Sequence, residues 1–288
     1  MAATTQKKYE DRIPEHQREA MESKAPIRAL ALFESIRREG AHELNRPASA
    51  LALSGLTAGL AIGFSVLSEA LLRTHLPDAP WRPLIENLGY SVGFVLVILG
   101  QLQLFTENTI TAVCPVLDEP RPRVFASLAR LWSLVLVTNL IGAAAFGWVL
   151  HAGTIYEPEL RAAVVALSDH ATSYGWWETA VRGIGAGWLI AALVWVKPNA
   201  RNSELFLIVL VTYLIALADF SHVVAGTTEA AVMVYSGGMS VAAALGGFVL
   251  PALVGNILGG TVFFTLLTYA QIRSELVGDP APERARRR

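Results

Sequence analysis

The chain has 288 residues, 53% hydrophobic and 16% charged, with a formal net charge of −1. Soluble globular domains usually carry about 25% charged residues, so this deficit points to a membrane. A near-neutral chain has no basic face for nucleic acid, and its single cysteine, Cys114, excludes an internal disulfide or a cysteine metal site within one chain.

The opening segment, 1–46, is polar and mixed in sign, without the pattern of a cleaved signal peptide, and reads as cytoplasmic. Within it Ala29, Leu32, Phe33 and Ile36 recur at helical spacing, with Arg28, Ser35 and Arg38 on the other side, predicting an amphipathic helix that serves as a solvated or membrane-surface collar. Six apolar stretches follow over 47–272. The first covers about 48–72 and is interrupted only by Glu69, and a loop with Pro77, Pro80 and Trp81 ends it. The second runs over about 88–104, meets the polar knot Leu104-Phe105-Thr106-Glu107-Asn108-Thr109, and resumes as a piece over 109–117. That piece is too short to cross a hydrocarbon core of about 30 Å at roughly 1.5 Å per residue.

The third stretch, about 125–150, is followed by a polar loop through Asp169 and His170. The fourth begins at Trp176 and Trp177, where an interfacial aromatic belt belongs, and ends before Lys197. The fifth, 205–218, breaks at Asp219-Phe220-Ser221-His222 and continues to Tyr235. The sixth covers about 248–272, ahead of a basic cytoplasmic tail over 273–288. Basic residues at both termini and at Arg121, Arg123, Lys197 and Arg201 favour six spans with both ends inside a plasma (inner) membrane.

The halves of the chain are alike. Ser54-Gly55 through Leu60 matches Arg182-Gly183 through Trp188 in small-residue spacing, and Thr138-Asn139-Leu140-Ile141-Gly142 matches Gly255-Asn256-Ile257-Leu258-Gly259. The knots fall between these anchors, with Phe105 opposite His222. Three spans per half predict an all-α membrane protein built as inverted three-helix repeats with helices 2 and 5 broken. Unwound backbone at membrane depth needs protein or a water-lined cavity around it, so two breaks point to a pathway.

On these residues the chain resembles the formate/nitrite transporter family, over about 48–272. The resemblance implies an aquaporin-like formate channel fold, a homopentamer in membrane lipid, and a small monovalent anion with a proton as partners. It places an apolar constriction at Leu104 and Phe105, a pore-lining hydroxyl at Thr106 and a central imidazole at His222, with Phe220 beside it. Asn256 matches a position lining the inner pore, although it and Asn139 also suit helix contacts. Where formate channels carry a glutamate before the histidine this chain has Ser221, and Gly226, Gly187 and Ala171 replace an asparagine and two vestibule residues. Glu107 is a carboxylate where those channels carry a small hydroxyl.

A bare anion meets a large desolvation barrier at an apolar constriction, whereas its protonated acid does not. Imidazole, with an ordinary pKa of about 6.5, is suited to exchanging that proton. Formic, acetic and nitrous acid fit in size. For His222 the structural alternative is a neutral ring tying the broken helix to a carbonyl; for Thr106 and Asn108 it is a helix N-cap. Glu107 is expected to be protonated or paired with Arg182, which also stands in for the missing vestibule lysine, while Glu69, Glu178 and Glu229 are expected at the interface. The alternatives to anion transport are a water or neutral-solute channel and cation passage favoured by Glu107. No cofactor motif, metal-ligand cluster or nucleophile–base pair suggests an enzyme.

Overall fold

The computed structural model describes residues 28–153, 156–200 and 202–278, which are helical with no strand among them. The far N-terminal residues, Arg201 and the arginines of the C-terminal tail lie outside the described residues.

Helix α1 (Ala29–Leu44) buries Leu32, Phe33, Ile36 and Leu44. This apolar face docks on protein: Phe33 meets Tyr269 at 5.3 Å, and Gly40 lets α1 approach the Thr111 carbonyl, which a Cβ would strike. On its outer face Glu34 accepts hydrogen bonds from Arg37 (2.7 and 2.9 Å) and Arg38 (2.6 Å), which hold its carboxyl down at about 2.

Four helices are long and apolar enough to cross a membrane: α2 (Ala48–His75), α4 (Pro122–Ala152), α6 (Trp176–Val196, continued to Asn199) and the last, α9 (Val241–Ser274). They pack in pairs, α2 on α4 and α6 on α9, through glycines that permit backbone contact. A Cβ on Gly59 would strike the Asn139 carbonyl; one on Gly187 would strike the Asn256 carbonyl. Two stretches of α9, Ala244–Val249 and Leu258–Leu266, are wound as π-helix. In the second, the Thr261 hydroxyl reaches the Thr109 carbonyl at 2.8 Å.

Helices α3 (Ser91–Leu99), α7 (Glu204–Leu217) and α8 (Val223–Tyr235) are too short to cross alone. After α3 and α7 the backbone turns out of the helix at Gln101 (φ 50°) and Asp219 (φ 52°), a left-handed conformation costly for a residue with a Cβ. Both ends are closed by the same bonds: Leu102 N–H donates to the Val97 carbonyl and Gln101 N–H to Ile98, while Phe220 N–H donates to Ile215 and Asp219 N–H to Ala216.

The continuations differ. Beyond the second break α8 is regular and His222 is its N-cap residue. Beyond the first there is only a 3₁₀ turn, Glu107–Thr109, and a short helix, Cys114–Asp118, in place of the helical piece expected over 109–117. Thr109 and Asn108 side chains bond to the Thr106 and Leu104 carbonyls and so compete with helical pairing, and Pro115 supplies no N–H.

The polar loop expected through Asp169 and His170 is instead helix α5 (Pro158–Thr172). Leu160, Ala163, Val164 and Leu167 make the buried stripe that holds it against α2 and α8.

Candidate functional site

The two broken segments meet at a buried polar contact. Thr106 Oγ1 lies 2.8 Å from His222 Nε2, and both residues are essentially without exposure. The other ring nitrogen, Nδ1, accepts from the Ala225 N–H at 3.3 Å, capping the first turn of α8. A nitrogen that accepts carries no proton, so the ring is the neutral Nε2–H tautomer and donates to Thr106. That leaves the Thr106 O–H as a donor. The edge of the Phe94 ring system packs 5.0 Å from His222 and fixes its plane.

The histidine ties the break to an N–H, not to a carbonyl. The Thr106 side chain caps no helix, because its hydroxyl is turned to His222.

Two asparagines hold the segments in place. Asn139 Oδ1 accepts from Phe105 N–H at 2.9 Å and its Nδ2 donates to the Gly55 and Gln103 carbonyls, both at 2.8 Å. Asn256 Oδ1 accepts from Val223 N–H at 2.9 Å and its Nδ2 donates to Gly183 at 2.9 Å and Ser221 at 2.8 Å. By these bonds Leu104, not Phe105, corresponds to His222. Asn256 is wholly buried and lines neither vestibule, so its side chain anchors backbone away from the pathway.

Vestibules open on either side of the contact. The one bounded by α1, about 510 Å³, reaches down to Leu102 and Leu104 and is lined by Glu43, Arg46, Glu107 and Lys197. Gln103 Nε2 donates to Glu43 Oε2 at 2.8 Å and Asn108 Nδ2 to Gln103 Oε1 at 3.1 Å, linking α1 to the break. The distal vestibule, about 460 Å³, reaches Phe220, Ser221, His222 and Phe248. The Phe248 ring stands where a Cβ on Gly226 would fall, and Phe220 packs over Gly185.

Leu104 closes the floor of the first vestibule, whereas Phe105 is buried edge-on against Trp132 at 5.5 Å and lines neither cavity. Among the described residues no group of three His, Cys, Asp or Glu side chains is placed to hold a metal.

A sequence model of the formate/nitrite transporter family matches residues 30–270. The chain belongs to the formate/nitrite transporter family. This is a family of transporters, not enzymes, and with several apolar helices the chain is a membrane protein. An inner membrane protein of Escherichia coli, YfdC, is 40% identical over 255 residues, 88% of this chain and 82% of that one. The nitrite transporter NirC of Salmonella typhimurium is 26% identical, covering 80% and 85%. Among solved structures, a pentameric formate channel with formate bound superposes with a TM-score of 0.69 at 20% identity, covering 79% of this chain and 98% of that one.

Several expectations for this family member change in three dimensions. Arg182 does not pair with Glu107: it bonds Glu178 Oε1 at 3.0 Å and the Ala218 and Asp219 carbonyls at 3.4 and 3.3 Å, and stacks on Tyr174 at 3.8 Å. It belongs to the distal face, while Glu107 shares the opposite vestibule with Lys197. Arg182 lines neither vestibule, so it does not replace a vestibule lysine. The distal cations are Arg73 and Arg82. Gly187 faces the α9 backbone, and Ala171 lines the distal vestibule. Glu69 and Glu229, expected at the interface, line the distal vestibule and are 7% and 8% exposed; Glu178 is exposed beside Arg182. Sequence reading missed Leu102, Phe248 and Lys197. Leu102 occupies the place in the first break that Phe220 occupies in the second, a match the shared closing bonds reveal.

Proposed function

We propose that this chain is a conduit for small monovalent anions such as formate or nitrite, which cross as the neutral protonated acid past His222. The reading rests on one observation above all: a buried hydroxyl and imidazole in contact beside Phe94, with Leu104 in the lining of one vestibule and His222 and Phe248 in that of the other. Apolar walls reject a bare charge, while a paired Thr106 and His222 offer hydrogen bonds to a small acid. The α8 N-terminus at His222 adds partial positive charge. The nitrite and formate named for relatives support this substrate class.

In the resting tautomer His222 donates to Thr106 through Nε2, and its one acceptor nitrogen, Nδ1, is occupied by the Ala225 N–H. A proton on Nδ1 displaces the Ala225 cap, so proton exchange by the ring accompanies release of the first turn of α8.

The matching bonds of Asn139 and Asn256 support an inverted repeat, in which α3 with its continuation and α7 with α8 supply two interrupted crossings beside the four long helices. Six crossings leave both termini on the cytoplasmic side of a plasma membrane, and the pentameric neighbour supports a homopentamer. In this arrangement Leu104, Thr106, Glu107, Phe220, Ser221 and His222 belong to the pathway.

Flux into proteoliposomes compared for formate, nitrite, water and potassium across an imposed pH gradient tests the reading. Formate or nitrite uptake that increases toward acid pH supports it. Water flux without anion uptake favours a neutral-solute channel, and potassium flux favours cation passage past Glu107.

A further inference from the structure

Glu69 on α2 and Glu229 on α8 reach into the distal vestibule from facing helices, and both are more than nine-tenths buried. Among the described residues no hydrogen bond or ion pair reaches either carboxyl group. The cations of this cavity are already engaged: Arg73 lies 3.2 Å from Glu86 Oε1, and Arg82 lies 3.1 Å from both Glu86 Oε2 and Asp78, the former without hydrogen-bond alignment. Asp219 faces His170 at 3.1 Å. The other groups facing the pair are Tyr90, Tyr174 and His222. Glu229 shares this cavity with the acidic side chains of Glu69, Glu86 and Asp219.

Two buried carboxyl groups that no hydrogen bond or ion pair reaches, sharing one cavity with Glu86 and Asp219, disfavour ionising together. One arrangement removes the conflict at no cost in contacts: the pair keeps a proton. His222, Gly226 and Glu229 lie along one face of α8 and open to the same cavity, so a solute held by this pair is two helical turns from the Thr106–His222 contact.

We propose that Glu69 and Glu229 form the proton-loading station of the distal vestibule, handing a proton to an incoming monovalent anion so that it reaches His222 as the neutral acid. This rests on the anion-conduit reading. The carboxyl O–H bond of the pair breaks, an O–H bond forms on the formate or nitrite oxygen, and the carboxylate left behind takes up a hydronium proton from the bulk solution that the vestibule opens to, so one proton enters with each anion.

The test is formate uptake into proteoliposomes at pH 7 and pH 5 by wild type, by the Glu69→Gln/Glu229→Gln double variant and by Glu159→Gln, an exposed glutamate away from both vestibules. At pH 7, where the free acid is scarce, the double variant should lose at least about tenfold in uptake and in proton co-movement read by an entrapped dye. At pH 5 it should recover to within about threefold of wild type, because the free acid in solution is then roughly a hundredfold more abundant and the loading step is less needed. Glu159→Gln should match wild type at both. A double variant with unchanged uptake at pH 7, with increased uptake, or with equal loss at both pH values overturns the proposal. Absence of anion uptake by wild type at either pH overturns the conduit reading itself.

Discussion

Asn139 and Asn256 hold the two chain breaks with the same three hydrogen bonds, one accepted from an N–H beyond the break and two donated to carbonyls before it and on the neighbouring helix. Each asparagine satisfies three backbone groups that hydrocarbon would leave unpaired.

Asn139→Ala and Asn256→Ala should therefore each destabilise the protein by roughly 2–4 kcal/mol, the cost of buried groups left without partners. In detergent this is read as a fall in Tm, and the formate-to-nitrite flux ratio should not move. A changed ratio for Asn256→Ala would return that residue to the pathway.

His222→Asn separates capping from the imidazole's part in the pathway, because asparagine is a good N-cap. The variant should melt near wild type while its anion uptake falls at pH 5 and pH 7 alike, because the neutral acid loses the imidazole it meets beside Thr106. His222→Ala should lose both, with a capping loss of about 1 kcal/mol. Undiminished uptake by His222→Asn would remove the imidazole from the pathway.

At Gly226 a methyl group falls on the Phe248 ring. Gly226→Ala should cost about 1–3 kcal/mol through overpacking and slow uptake by displacing the ring above His222. Adding Phe248→Leu should restore stability beyond the sum of the single effects, a coupling measurable by a double-mutant cycle.

Arg182→Gln removes the guanidinium bonds to the Ala218 and Asp219 carbonyls without removing a vestibule charge. It should lower Tm and maximal flux with the half-saturating anion concentration unchanged. A large rise in that concentration would mean that Arg182 gathers anions.

The Glu34 clamp bears on pH sensitivity by its sign. Its carboxyl is held at about 2, below the ordinary 4.5, by hydrogen bonds from Arg37 and Arg38. Its contribution is complete above pH about 4.5 and is lost only as pH falls toward 2. Hydrogen exchange in α1, corrected for intrinsic rates, should be constant from pH 5 to 8, and Glu34→Gln should leave the pH profile of uptake in place.

Much of this architecture was legible because a membrane chain must segregate polarity. Thr106 and His222 stood out as polar groups in apolar runs, and the small-residue anchors around Gly55, Gly183, Asn139 and Asn256 marked the halves. What sequence could not supply was direction around a helix axis and between faces. Glu69 and Glu229 lie near span ends, and only packing of α2, α5 and α8 shows that they face inward. Arg182 and Glu107 are both internal charges in sequence, yet Arg182 sits on the distal face outside either vestibule and Glu107 lines the opposite one. The helix α5 carried a readable stripe, Leu160, Ala163, Val164 and Leu167, that its polar composition outweighed. Phe105 followed a family pattern into a constriction, whereas the Asn139 bond to its N–H turns the ring toward Trp132.

Leu104 and His222 occupy corresponding places in two segments closed and anchored alike, so the sidedness of the molecule at its centre resides in these two side chains together with the regular helix that follows only the second. Exchanging that leucine and that histidine would carry the imidazole toward the α1 side, where no regular helix follows for it to cap, and would leave the Ala225 N–H without its acceptor.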